Sequence, residues 1–292
     1  MTDKDMSYSS SQQEIDAALC AEKVVRSSGS SFFWAMRCLP MEKRQAMFAV
    51  YAFCRKVDDI ADEVGAEQTK RQQLQKWRKD ILSVYSEKPT MSRLAQALVR
   101  PIQQYNLQKS DFLAVIDGME MDVGSHFRMT DMAMLTLYCD RVACAVGRLS
   151  IRVFGVAGDK GDTIAKALGD ALQLTNILRD IEEDAKNDRM YLPKDVLLKY
   201  GISEQNPSDI IAHAQFGIVF KEFVVMAGQK FSQSRILLSA ENPKSVRPAV
   251  MMMEVYQRIF DKLRLRGWQP GQPRVGLNIF IKLWLVIRYG IF

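Results

Sequence analysis

Histidine is almost missing from this sequence: His126 and His213 are the two among 292 residues. Cysteine is scarce as well. Cys20, Cys38, Cys54, Cys139 and Cys144 are odd in number and contain no CxxC pair. A zinc site, which needs clustered imidazole or thiolate ligands, is therefore excluded. The same set argues against a disulfide framework and suits a reducing cytoplasm. No extended Lys/Arg run and no basic–aromatic module is present, which excludes nucleic acid as a partner. Long apolar runs are also lacking. Residues 277–291 come nearest, but Lys282 and Arg288 interrupt them. They fall short of the roughly 20 apolar residues of a spanning helix and read as a docked C-terminal helix. The N-terminus, with Asp3, Lys4 and Asp5, has no apolar core of a signal peptide. Neither a GxGxxG motif nor an alternating strand pattern occurs.

What is present is ordinary in amount and specific in arrangement. Hydrophobic residues make up 48% and charged residues 25%, as in a folded globular protein. The net charge of +6, with a pI near 9.0, favours an anionic partner such as a polyphosphate or an anionic lipid.

Helical periodicity dominates, so the fold class is all-α. Pro40 introduces a helix running to about Glu63, and further helices are predicted over 68–85, 92–105 and 110–122. Thr130 is placed to cap one that runs to Phe154, and another covers 162–184. After a loop with Pro193 and Gly201, helices resume over 208–240 and 245–266. Residues 267–273 then break the chain before the last helix. No internal repeat or linker is evident. One helical domain over 1–292 is expected, with residues 1–12, rich in Ser, flexible.

Two helices carry carboxylates where apolar residues belong. Over 47–62, Met47, Val50, Tyr51, Cys54 and Ala61 form one stripe at 100° per residue, and Asp58 falls within it. Asp62 follows one turn later, with Arg55 alongside. On a solvated face such a pair would carry no message; on a buried face it demands a cation, because an unpaired buried carboxylate costs several kcal/mol. The helix over 162–184 is apolar around most of its circumference. Its exception is a narrow strip of Gln173, Asn176, Asp180 and Asp184, which Gly169 continues, leaving room beside it. This could be a satisfied buried network. Carboxylate and amide oxygens without histidine otherwise suit a hard cation such as Mg²⁺. Two such strips facing one another would bind metal ions, and the ions a diphosphate, with Arg55, Arg179 and Arg189 available for phosphate contacts.

At these residues the sequence resembles the squalene/phytoene synthase family. The blocks that carry the resemblance are SGSSF at 28–32, YAFCRKVDDIAD at 51–62, YCDRVACAVG at 138–147, QLTNILRDIEED at 173–184 and RMYLP at 189–193. Beyond Pro193 it thins, although Tyr256 and Arg274 sit about where relatives place substrate-contacting residues. Phe33 departs from the pattern, since many relatives carry Tyr there. The resemblance implies an isoprenoid synthase helical bundle with a central cavity and two or three Mg²⁺ ions. Asp58 and Asp62 would hold one part of the metal cluster, and Asn176, Asp180 and Asp184 the other. Tyr51, Arg55 and Tyr191 are the implied catalytic residues. Ser28, Ser30, Ser31, Gln173, Arg179, Arg189 and Tyr256 are implied to bind substrate.

Within the family, the wording SGSSFFWAMRCLP, DGMEMDV and YCDRVACAVGRLS is most similar to the bacterial branch that serves hopanoid biosynthesis. That implies a prenyltransferase joining two farnesyl diphosphates head to head (1'-2-3) into presqualene diphosphate, with release of diphosphate and no NADPH requirement. The implied location is the cytoplasm, with peripheral contact to the inner membrane. Alternatives are a phytoene or dehydrosqualene synthase, or an NADPH-dependent squalene synthase. From a different class, a non-catalytic helical assembly or binding protein of the same fold would be expected to have lost metal ligands. Both carboxylate strips are complete here.

Overall fold

The computed structural model describes residues 3–29, 32–37 and 39–278. Ser30, Ser31 and Cys38 lie outside the described residues, as does the 277–291 stretch from residue 279 onward. The helices are α1 (Asp3–Ser27), α2 (Phe32–Arg37), α3 (Met41–Asp62), α4 (Glu67–Tyr85), α5 (Arg93–Tyr105), α6 (Lys109–Asp122), α7 (Met132–Cys139) and α8 (Ala145–Phe154). They continue as α9 (Gly158–Lys186), α10 (Lys194–Lys199), α11 (Pro207–Ala212), α12 (Phe216–Ser239) and α13 (Pro243–Arg266). None of the described helices is long and apolar enough to cross a membrane.

The longest helix, α9, is central because it is apolar nearly all round. Ile164, Ala165, Leu168, Ala171, Leu174, Leu178 and Ile181 are buried, and α8, α11, α12 and α13 pack around it. Thr175 fits this interior because its hydroxyl donates to the Ala171 carbonyl at 2.7 Å. Nearer the N-terminal half of α9, Asp170 is buried between Lys166 of the same helix at 2.7 Å and Lys230 of α12 at 2.8 Å. That ion cluster ties the two helices together.

Several boundaries differ from the sequence expectation. Helix α1 begins within the residues expected to be flexible. Its small residues Ala17, Ala21 and Val25, one turn apart, are buried where it packs on α3 and α5. The single helix expected over 130–154 is two, α7 and α8, joined by a π-helical turn at Asp140–Cys144. Asp131, not Thr130, caps α7, its carboxylate accepting from the Met134 N–H at 2.8 Å. The expected 208–240 helix breaks between α11 and α12, where His213 turns extended and its Nδ1 accepts from the Gln215 N–H. Gly169 does not leave room beside the polar strip. A Cβ there would lie 2.8 Å from the Cys144 Cα, so α9 presses against the π turn through this glycine. Two strands of two residues each, β1 (Phe127–Arg128) and β2 (Arg189–Met190), pair in parallel. They are too short to register as alternation.

The chain after α13 is the last described segment. Gly267, at φ +68°, ends the helix. Trp268 then packs on Phe216, with ring centroids 4.8 Å apart, and donates its indole N–H to the Ile211 carbonyl at 3.2 Å. The Gly271 N–H bonds the Glu182 carboxylate, so residues 267–278 run across the C-terminal half of α9 and deliver Arg274 to its acidic strip.

Candidate active site

A cavity of about 1120 Å³ opens between the C-terminal halves of α3 and α9. Tyr51, Arg55, Asp58 and Asp62 line one wall, and Gln173, Asn176, Asp180 and Asp184 the opposite one. Both strips predicted from the sequence therefore face the same space. Arg179, Arg189, Tyr191 and Tyr256 line it as well. Ser28 is reached through Tyr51, whose hydroxyl donates to the Ser28 Oγ at 3.2 Å.

The electrostatics of the two walls differ. On α3, Arg55 is shared between Asp58 at 3.2 Å and Asp59 at 2.8 Å. Burial, together with the neighbouring Asp62 carboxylate, pushes Asp58 up to about 6 in spite of Arg55. On α9, burial and the adjacent Asp180 charge push Asp184 up to about 7, against the pull of Arg189. Asp180 goes the other way. Burial opposes its ionisation, but Arg179 (2.8 and 2.6 Å) and Arg274 (2.6 and 3.1 Å) each grip both its oxygens and hold it below the usual carboxylate range.

Among the described residues no three His, Cys, Asp or Glu side chains converge into a ready-made metal cluster. The donor set nonetheless fits a hard cation. The Asn176 side chain donates to the Gln173 Oε1 at 3.2 Å, while its own Oδ1 is buried with no hydrogen-bond partner among the described residues. A buried unpartnered amide oxygen costs free energy until something positive meets it. Two carboxylates on facing walls with raised pKa values have the same need. All these donors are oxygens, as Mg²⁺ prefers, and the ion commonly takes one or two carboxylates and completes its shell with water and phosphate oxygens.

The cavity also holds residues that the sequence reading left out of the site. Asp122, at the end of α6, and Tyr138, on α7, line it, as do Glu183 and Lys70; Arg274, which the resemblance had placed among substrate-contacting residues, lines it too. Asp122 had a legible signal. It follows Phe112, Val115, Ile116 and Met119 on the buried stripe of α6, the same clue that singled out Asp58.

Residues 25–279 match the family model for squalene/phytoene synthases. The chain belongs to the squalene/phytoene synthase family. Among its relatives in this family, the presqualene diphosphate synthase of Sinorhizobium fredii is 40% identical over 94% of this chain and 98% of its own. That of Rhodopseudomonas palustris is 42% identical, covering 90% of this chain and 94% of its own. The phytoene synthase of Mycobacterium tuberculosis is 37% identical but over 62% of this chain and 59% of its own. In fold, the chain superposes on a dehydrosqualene synthase with a TM-score of 0.81 at 22% identity, over 95% of this chain and 96% of the other. A squalene synthase from Alicyclobacillus acidocaldarius superposes at 0.78, with 26% identity over 87% of this chain and 95% of its own. The all-α isoprenoid synthase bundle expected from the sequence is the fold found.

Proposed function

We propose that this family member condenses two molecules of farnesyl diphosphate head to head into presqualene diphosphate, releasing one diphosphate. The observation that carries the reading is the pair of acidic walls across one cavity, with the buried Asn176 Oδ1, unpartnered among the described residues, on one of them. Relatives named for this reaction, about 40% identical over nearly their whole length, supply the substrate class.

Asp58 and Asp62 on one wall, and Asn176, Asp180 and Asp184 on the other, would hold two or three Mg²⁺ ions. Bound there, the ions would neutralise the charge that develops on a departing diphosphate. Arg55, Arg179, Arg189 and Arg274 offer the remaining phosphate contacts, in the bidentate form that guanidinium favours. For Arg179 and Arg274 this implies an exchange, because both now grip Asp180 and would turn to the incoming anion. Holding both prenyl tails in place would supply proximity and keep water from the allylic cation. The acceptor double bond attacks that cation, and loss of a proton closes the cyclopropane. The second diphosphate stays attached, and nothing in this sequence of steps consumes NADPH.

Contact with the cytoplasmic face of an anionic membrane belongs to the same reading. The +6 charge and the apolar nature of substrate and product support it. The identity of the product formed from farnesyl diphosphate tests the central claim.

A further inference from the structure

Three carboxylates are buried among the described residues: Asp111, Asp122 and Asp170. Two of them are neutralised directly. Asp111 pairs with Arg148 at 2.6 Å, and Asp170 with Lys166 and Lys230. Asp122 is different. It is 6% exposed, and both its oxygens are taken by phenols: Tyr191 donates to Oδ1 at 2.7 Å and Tyr138 to Oδ2 at 2.9 Å. The nearby cation, Arg189, bonds the Asp122 backbone carbonyl at 3.0 Å and the Tyr191 oxygen at 3.4 Å, not the carboxylate.

The two tyrosines are fixed from behind. Their rings lie 5.2 Å apart, and Phe127 packs against both, at 4.7 Å from Tyr191 and 5.9 Å from Tyr138. With the rings fixed by packing and the hydroxyls by one carboxylate, both tyrosines stand in the lining of the cavity that the acidic walls share. A carboxylate kept only for stability would be expected to resemble Asp111 or Asp170, paired with a cation and away from the cavity. Tyr51, the other tyrosine assigned a catalytic role, donates instead to a hydroxyl, the Ser28 Oγ at 3.2 Å.

We propose that Asp122 is the positioning residue for the ring-closing proton transfer: it aims Tyr138 and Tyr191 and accepts the phenolic proton when one of them removes the substrate's proton. This rests on the head-to-head reading above. In the step, a C–H bond on C1 of the donor breaks and its electron pair forms the last cyclopropane C–C bond, to the cationic C3 of the acceptor one carbon further on. The proton goes to a phenol oxygen as that phenol's own proton passes to an Asp122 oxygen. The carboxylate ends as the acid, the phenol is unchanged, and the diphosphate has already left. The relay spares the tyrosine from holding two protons. Burial, resisted by the two phenols and Arg189 and reinforced by Asp62, pushes Asp122 up to about 6, which makes it a better acceptor than an exposed carboxylate. Asp58 and Asp184, on the two walls, add to the negative field that it faces.

The test is Asp122→Asn, assayed with farnesyl diphosphate and Mg²⁺ for both diphosphate release and product. The amide can accept from one phenol but can take a proton from neither. Presqualene diphosphate formation should fall by roughly 10²-fold or more, the range of a positioned general base. KM should stay within about threefold, and diphosphate release should outrun product as the cation is diverted to farnesol or acyclic alkenes. Asp122→Glu should recover part of the coupling. Tyr138→Phe and Tyr191→Phe, which keep the packed rings, provide the same readout if the Asn variant does not fold, and one of them should reproduce the uncoupling. Wild-type rate and coupling in D122N, or in both Phe variants, would overturn the proposal while leaving the overall reaction in place. A wild-type protein inert toward farnesyl diphosphate would overturn the underlying reading and the proposal with it.

Discussion

Asp184 concentrates the chemistry of the site in one side chain. Its folded-state pKa, raised to about 7, lies above the roughly 4 of an unfolded aspartate, so the native state prefers the protonated form. The stability this contributes is complete below about pH 4 and is lost as pH rises through 7. Above that pH the metal-free protein carries a carboxylate whose nearest partners are other acids and a single arginine. Asp184→Asn should therefore raise the melting temperature of metal-free protein at pH 8 by about 2–4 °C. The same change should lower turnover by roughly 10²-fold or more, since a neutral amide is the weaker cation ligand. Thermal melts with and without Mg²⁺ read both halves, and unchanged stability together with unchanged activity would remove Asp184 from the metal-binding wall. At this scale the sequence was informative wherever a polar residue broke an apolar period. Asp58, Asn176, Asp180 and Asp184 were found that way, and Asp122 could have been. Arg274 was reached through the resemblance alone, because nothing periodic marks an irregular segment, and its position depends on Trp268 and Gly271 holding that segment across α9.

Among the elements, α9 decides how the site is built, because one face carries the acidic strip while the others are packed by neighbouring helices. The close approach at Gly169 fixes its distance from the π turn at Asp140–Cys144. Gly169→Ala would bring a methyl group within 2.8 Å of the Cys144 backbone, where no flexible side chain can yield. A loss of about 1–3 kcal/mol is expected, read as a lower denaturation midpoint. Wild-type stability in that variant would mean that α9 and the turn can part freely. The helices themselves were legible because 3.6-residue periodicity survives in each. Their interruptions were less so. The π turn keeps helical periodicity almost intact while inserting a residue, so 130–154 reads as one helix. The break at His213 depends on a ring nitrogen taking the Gln215 N–H, which composition does not reveal.

The whole molecule combines a positive charge with a reaction whose substrates and product are lipids. If the +6 charge draws it to membranes, full-length protein should float with anionic vesicles at low salt, and roughly 0.5 M salt should release it, since screening at that strength is strong. Equal binding to neutral vesicles, or none to either, would contradict an electrostatic attachment. The account as a whole stands on what the cavity makes. The direct measurement is mass spectrometry of the products formed from farnesyl diphosphate and Mg²⁺, in parallel with and without NADPH. The account predicts presqualene diphosphate accumulating equally in both. Squalene appearing only with NADPH, or turnover of geranylgeranyl diphosphate with none of farnesyl diphosphate, would contradict it.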